Sequence, residues 1–341
     1  MLIACLPALK RLDRKRNVML RTYTSVMLVF GLFPLFLSEV HPAAKIPRIG
    51  VLLLTEGRPA LEAFRQGLRD LGYIERRNIL IEYRFAKGDL ERILPLAVDL
   101  IDKKVDLILT AGTAQARAIQ QATTTMPIVL AVSGDPVGAG LAASLARPGG
   151  NITGLSMMSP ELSGKRVELL KEAVPNSSRV GVLWDTLVPD NTLDFRTTQV
   201  VARAVGLEVE SLQVRQPEDL NGAFSLAVRR RVNGLVVIGG GVVNKERKRV
   251  LAFEVRNWLP AMHEQLEFAE SGGLMAYGVS LPDLFRRSAA YVDKILKGTK
   301  AADLPIERPM KVELVINLKT AKQIGVTIPP NVLARADRVI K

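Results

Sequence analysis

From residue 47 onward, short apolar runs alternate with amphipathic stretches about a dozen residues long. The runs Ile49–Leu54, Ile79–Phe85, Val105–Thr110, Ile128–Val132 and Ile152–Ser156 predict strands. Between them Pro59–Leu71, Leu90–Lys103, Ala114–Ala122 and Val137–Ala146 have helical periodicity, with Pro59 suited to a helix start and Gly72 to a helix end. Such alternation predicts βαβ units and a parallel sheet.

The pattern then begins again. Val180–Trp184, Leu207–Val214, Leu235–Ile238, Pro260–Met262 and Leu274–Tyr277 read as strands, with helices near 189–205, 217–230 and 244–257. Local echoes support a doubled topology. Val105–Leu109 ending in Ala111-Gly112 resembles Gly234–Ile238 ending in Gly239-Gly240, and Met126-Pro127-Ile128 parallels Leu259-Pro260-Ala261. The expected fold class is α/β, two Rossmann-like lobes with parallel sheets. Ligands of such sheets sit at the carboxyl ends of the strands, so facing lobes would line one pocket with loops from both.

The length of 341 residues suits two domains, and 48% hydrophobic against 24% charged residues excludes wholesale disorder. Aromatic residues are scarce at 5%, which favours strands buried under helices over an exposed antiparallel sandwich. The formal net charge is +13, but part of it is N-terminal: residues 1–44 hold six Lys/Arg against two acidic residues. The densest run, Lys245–Arg249, contains Glu246 and reads as a solvated helix face. Without interleaved aromatics or a DNA-binding motif, no nucleic-acid partner is expected.

Residues 26–37 form an uncharged apolar run preceded by Arg11, Arg14, Lys15, Arg16 and Arg21, and followed by Pro42-Ala43-Ala44. A basic stretch, an apolar core and small residues describe a secretory signal over residues 1–44. The run is short for a membrane span, although a retained N-terminal anchor is the other reading. Cys5, the chain's single cysteine, lies in this segment, so thiol catalysis and Cys-zinc sites drop out of the mature region.

Catalytic parts are missing from the pattern. His263 is the one histidine beyond residue 44, without an identifiable nucleophile partner, second His or H-E-x-x-H. No P-loop is present, and Gly138–Ala143 matches G-x-G-x-x-A inside the expected helix 137–146, away from a phosphate turn. Neither cofactor nor metal is expected, and the chain does not read as an enzyme. What remains are polar residues and glycines at strand ends. These are Thr55 and Glu56, Gly112 and Thr113, Ser133 and Asp135, then Trp184 and Asp185, Gly240, His263 and Tyr277. A hydroxyl and free N–H groups at a helix start hold anions. Asp135 would pair with an ammonium or cap a helix, Trp184 is a stacking wall or the core's edge, and His263 reaches the cleft or ends a strand.

At these residues the chain resembles a known family. Phe64–Tyr73, Asn78–Arg84, Gly134-Asp135-Pro136-Val137, Leu145–Gly154, Ser159–Leu162, Asn317–Ala321 and Ile328-Pro329-Pro330 look like the ABC-transporter substrate-binding proteins of the tryptophan/tyrosine type. The resemblance implies a type I periplasmic-binding-protein architecture with three hinge crossovers, near 156, 277 and 310. Lobe 1 would comprise 46–156 plus 278–309, taking in a helix at 282–297. Lobe 2 would comprise 157–277 plus 310–341, with a strand at Val312–Ile316. The implied function is a periplasmic, monomeric solute-binding component that captures a small molecule, such as an amino acid, for an ABC permease and ATPase. The alternative is a sensory module of the same fold acting with a signalling receptor. The chain departs from the family at Ile238–Gly241, usually bulkier and Pro-containing, at His263, usually aromatic, and at Trp184-Asp185-Thr186, usually Trp-Asn-Pro. All three lie in the second lobe's expected cleft, where the glycines would enlarge the pocket or admit a polar headgroup.

Overall fold

The computed structural model describes residues 45–341; the expected secretory segment and Cys5 lie outside the described residues. In chain order the first half carries β1 (Arg48–Leu53), α1 (Arg58–Asp70), β2 (Leu80–Phe85), α2 (Ile93–Asp102), β3 (Leu107–Ala111), α3 (Thr113–Ala122), β4 (Ile128–Ser133) and β5 (Ile152–Ser156). Next come α4 (Ser159–Ala173), β6 (Arg179–Asp185), α5 (Pro189–Ala204), β7 (Glu208–Val214), α6 (Asp219–Arg229) and β8 (Gly234–Val237). They are followed by α7 (Gly241–Lys245), α8 (Arg247–Arg256), β9 (Ala261–His263), α9 (Leu266–Glu270) and β10 (Met275–Gly278). The chain closes with α10 (Leu281–Leu296), β11 (Glu313–Asn317), α11 (Leu318–Gln323), α12 (Pro330–Leu333) and β12 (Arg338–Ile340).

Two sheets result. The first runs β2-β1-β3-β4-β5 with every pairing parallel. Its strands alternate between two apolar faces, as a period of two requires. Ile49, Val51, Leu53, Leu109 and Val129 pack with Phe64 and Leu68 of α1 and Phe285 and Val292 of α10. Leu52, Ile108, Ile128 and Leu130 face the other way, onto Ile93 and Leu100 of α2 and Ile119 of α3. Strands covered on both sides read as continuous apolar runs, which is why β4 is buried throughout. β2, at the edge, is half-buried along its length.

The second sheet runs β12-β11-β10-β9-β8-β6-β7. Its pairings are parallel except β10 with β11, where Met275 stands opposite Ile316 and Gly278 opposite Glu313. Val182, Val236 and Met262 face α4 and α11, and Leu183, Leu235 and Val237 face α6 and α8.

The chain passes between the sheets three times. β5 of the first sheet leads into α4 under the second, and β10 of the second leads into α10, which returns to lie on α1. Gly67 makes that contact close: a Cβ there would stand 2.3 Å from the carbonyl oxygen of Arg286. Residues 304–307 then run beside β5, with Ser156 N–H donating to the Glu307 carbonyl at 2.9 Å, before the chain crosses to β11.

The structure corrects two expectations about elements. Residues 137–146 are turns and bends rather than a helix. Asp135 accepts from Gly138 N–H at 2.8 Å, a single turn forms, and Gly140 leaves it at φ +71°, a left-handed conformation that ends helical propagation. Conversely, α4 was not apparent from periodicity. Its inner face mixes Leu162, Val167 and Leu170 with Ser159, Ser163, Gly164 and Arg166, which breaks the apolar stripe. Among the described residues, no helix is long and apolar enough to cross a membrane.

Candidate functional site

The carboxyl ends of the two sheets face one another, and the loops there converge as the topology demands. From the first lobe, β3 ends in Gly112, whose φ of +101° turns the chain into α3. Thr113, the first residue of α3, is buried, with its hydroxyl 2.7 Å from that of Ser133 at the end of β4. From the second lobe, Pro189 opens α5, where its missing N–H costs nothing, and Asp190 occupies the first turn. A carboxylate there is favoured by the positive end of the helix dipole.

These parts meet. Thr113 donates its hydroxyl hydrogen to Asp190 Oδ2 at 2.6 Å, joining one lobe to the other. Gly134 gives the carboxylate room, since a Cβ at that position would stand 2.5 Å from the same oxygen. Burial raises Asp190 above the ordinary carboxylate range, against the lowering effect of the Thr113 hydroxyl and the Gly134 N–H.

Beside this contact lies a cavity of about 380 Å³, walled by Thr113 to Gln121 on α3, by Asp135 to Ala139, and by Ser159-Pro160, Pro189, Asp190, Leu193 and Asp194 from the second lobe. The volume falls within the range of small-molecule pockets. Beneath it is a buried polar layer. Glu264 accepts from Gly239 N–H at 2.6 Å, lies 3.4 Å from the Ser159 hydroxyl and 3.6 Å from Arg166 Nη2. Arg166, 1% exposed, donates through Nε to the Tyr277 carbonyl at 2.8 Å and through Nη1 to Ser163. Asp194 is likewise 1% exposed. Burial first, then repulsion from Glu264 and Asp190, pushes it up to about 8, while Arg166 and Ser163 pull it down.

The sequence-derived candidates divide into five groups. Gly112, Thr113, Ser133 and Asp135 gather at the first lobe's side of the cleft, and Thr113 and Asp135 line the cavity. Asp185 and Gly240 form the second lobe's loop base. Asp185 accepts from Leu187 N–H and Val242 N–H, each at 2.9 Å, and Gly240 lies close enough to it that a Cβ would come within 2.6 Å. Tyr277 sits where β10 leaves for the hinge and packs against the cores of both lobes. Thr55 and Glu56 are exposed after β1, with Glu56 paired to Arg58 at 3.6 Å, and neither lines the cavity.

Two candidates are corrected. Trp184 is a core residue, stacked on Phe195 at 4.9 Å between ring centroids, with its indole N–H donated to Ser211. His263 is wholly buried, with Nδ1 2.8 Å from the Met275 carbonyl, Nε2 3.0 Å from Glu254, and its ring stacked on Phe268. Both turn inward because alternate residues of a strand face opposite sides. A position at the strand's end therefore does not ensure that the side chain reaches the loops.

Sequence reasoning missed Asp190, Asp194, Ser159, Arg166 and Glu264. A signal existed for the first two. Asp190, Asp194 and Thr198 recur at four-residue spacing on one face of α5, and like charges so placed weaken a helix unless that face is put to use.

Comparison with known proteins agrees with this geometry. The chain is 27% identical over 285 residues to a tyrosine-binding protein of Clostridioides difficile (strain R20291), covering 82% of this chain and 81% of that one. It resembles the structure of an ABC domain in complex with L-Trp from Streptococcus pneumonia, with a TM-score of 0.80 and 26% identity over 86% of this chain and 99% of that one. Against the ligand-free, open structure of a substrate binding protein with adhesive properties from Clostridium difficile, the TM-score is 0.64 at 26% identity, covering 87% of this chain and 100% of that one. The chain is thus more similar in structure to the L-Trp complex than to the open relative. Two sheets joined by three crossings enclose a cavity at their strand ends, and residues 49–340 match one family from end to end. The chain belongs to the ABC transporter substrate binding proteins, an extracytoplasmic family of type I periplasmic-binding-protein architecture.

Proposed function

We propose that this protein captures a small solute, an amino acid or related molecule, between its lobes in the periplasm and delivers it to the permease and ATPase of an ABC importer. In this reading it binds without turnover. The hinge segments separate a first lobe of residues 46–156 plus 278–309 from a second of 157–277 plus 310–341. The observation that carries the reading is the bond from Thr113 to Asp190 beside a cavity walled by both lobes. A solute touching both walls favours the closed form by its differential affinity for closed over open. Gly112, Thr113, Ser133 and Asp135 supply the first lobe's contacts, with Ser159, Asp190 and Asp194 opposite.

The relatives' L-Trp and tyrosine put amino acids first in a ligand screen, followed by amines, purines and small carboxylates. The test combines thermal shift with small-angle scattering on the mature chain. A binding solute should raise the melting temperature and reduce the radius of gyration. A well-folded protein that no solute stabilises or compacts overturns the reading.

A further inference from the structure

Charge around the cleft is unevenly compensated, and the imbalance centres on one carboxylate. Asp185 has both oxygens occupied by N–H groups, those of Leu187 and Val242. Asp190 receives the Thr113 hydroxyl, and Glu264 has Gly239 N–H, Ser159 and Arg166. Asp194 lines the cavity, is 1% exposed, and its Oδ1 accepts no hydrogen bond. Arg166 and Ser163 offset only part of the cost of burying a charge beside Glu264 and Asp190, so a carboxylate in this position holds either a proton or a ligand's cation. The charged and titratable groups facing it are Arg166 on α4, Glu264 after β9, and Asp190 one turn earlier on α5.

The cavity wall narrows the choice. Its acids are Asp135, Asp190 and Asp194, whereas its cation, Arg117, is exposed and donates to the Ala139 carbonyl. A zwitterion brings no net charge to offset that excess. No Phe, Tyr or Trp lines the cavity, and Trp184 is engaged with Phe195 in the core. Among the described residues, no cluster of His, Cys, Asp or Glu is arranged to hold a metal ion, which points to an organic cation.

We infer that Asp190 and Asp194, one helical turn apart on α5, form the seat of a cationic nitrogen, and that the ligand is a small aliphatic amine or guanidine of net positive charge. This rests on the solute-binding reading and narrows its substrate class. On binding, the ligand's N–H groups take the place of the proton on Asp194, and that proton leaves to solvent.

The test is isothermal titration with putrescine, agmatine, L-lysine and L-arginine, set against L-tyrosine, L-tryptophan, L-glutamate and D-glucose. Each titration is run in two buffers of different ionisation heat. A cationic probe should bind with release of up to one proton, and its affinity should rise by at most about tenfold per pH unit between pH 6 and 8. Asp194→Asn should weaken it on the order of 30-fold or more and abolish the proton release. Proton release by the wild type does not depend on the variant folding. Binding of L-tyrosine, L-tryptophan, L-glutamate or D-glucose with the cationic probes inert overturns the inference and leaves the solute-binding reading intact. A cationic probe that binds without proton release and is indifferent to Asp194→Asn also overturns it. Failure of every probe overturns the inference, and failure of the wider solute screen as well removes the reading beneath it.

Discussion

The hydroxyl of Thr113 and the carboxylate of Asp190, 77 positions apart in the chain, meet at 2.6 Å across the cleft. Each belongs to the first turn of a helix, α3 in one lobe and α5 in the other, so a single short bond ties two helix starts together. With a probe that stabilises the wild type, Thr113→Val and Asp190→Asn should each weaken binding about tenfold, as for a hydrogen bond to a charged group. The double variant should lose less than the product of the two. Calorimetry of the four proteins as a double-mutant cycle measures the coupling.

Gly134 gives a second handle on the same contact. A methyl group there would lie 2.5 Å from Asp190 Oδ2, so the lobes of Gly134→Ala cannot approach as far. Scattering should show a radius of gyration that no longer falls on adding that probe. The melting temperature of the unliganded protein should change little, because the clash exists only when the lobes are closed.

Asp194 predicts how stability varies with pH. Its folded value lies near 8, above the 3.8 of an ordinary aspartate. Between those values the folded protein keeps a proton that the unfolded chain has lost, so stability falls as pH rises through the window. Asp194→Asn removes that contribution. The variant's melting temperature should exceed the wild type's by about 3 °C or more at pH 8, with the gap closing towards pH 4.

His263 serves the fold. His263→Ala leaves Glu254 unpaired in the core and takes a ring from beside Phe268, with an expected cost of about 3 kcal/mol. Denaturant titration should show that loss, while binding of the same probe at 10 °C remains within about twofold of the wild type.

Gly67→Ala tests the packing of α1 on α10. The new Cβ would stand 2.3 Å from Arg286 O and 2.9 Å from the Ala289 Cβ, and backbone cannot move aside as a side chain can. A loss of about 1–3 kcal/mol is expected by thermal denaturation, at neutral pH and without ligand.

The fold was more legible in sequence than the site. Runs such as Ile128–Val132 declare strands because both faces of the sheet are covered, and the pattern needs no knowledge of what covers them. The stretch 137–146 misled because its alanines and leucines have helical spacing while Gly140, in a left-handed conformation, stops the helix after one turn. Trp184 and His263 misled for another reason: a strand's end is visible in sequence, but the face its last side chain takes depends on the register of neighbouring strands. Asp190 and Asp194 carry no mark of burial within the helix near 189–205, because their burial exists only once α5 lies against α4 and the other lobe. Arg166 stayed hidden with its helix, since α4 is as polar within as many helices are outside.

The packing of α10 on α1 also governs when the protein can fold. Arg286 holds Asp70 at 2.7 Å across 216 positions, and Phe285 and Val292 complete the hydrophobic cluster that Phe64 and Leu68 begin. A chain emerging N-terminus first exposes those residues until more than two hundred others have followed. Contacts of such long range form slowly, because the intervening loop must close before they return any free energy. The first lobe to appear is therefore not the first to be finished: its early strands must wait, open to chaperones and to proteases, for a helix made near the end.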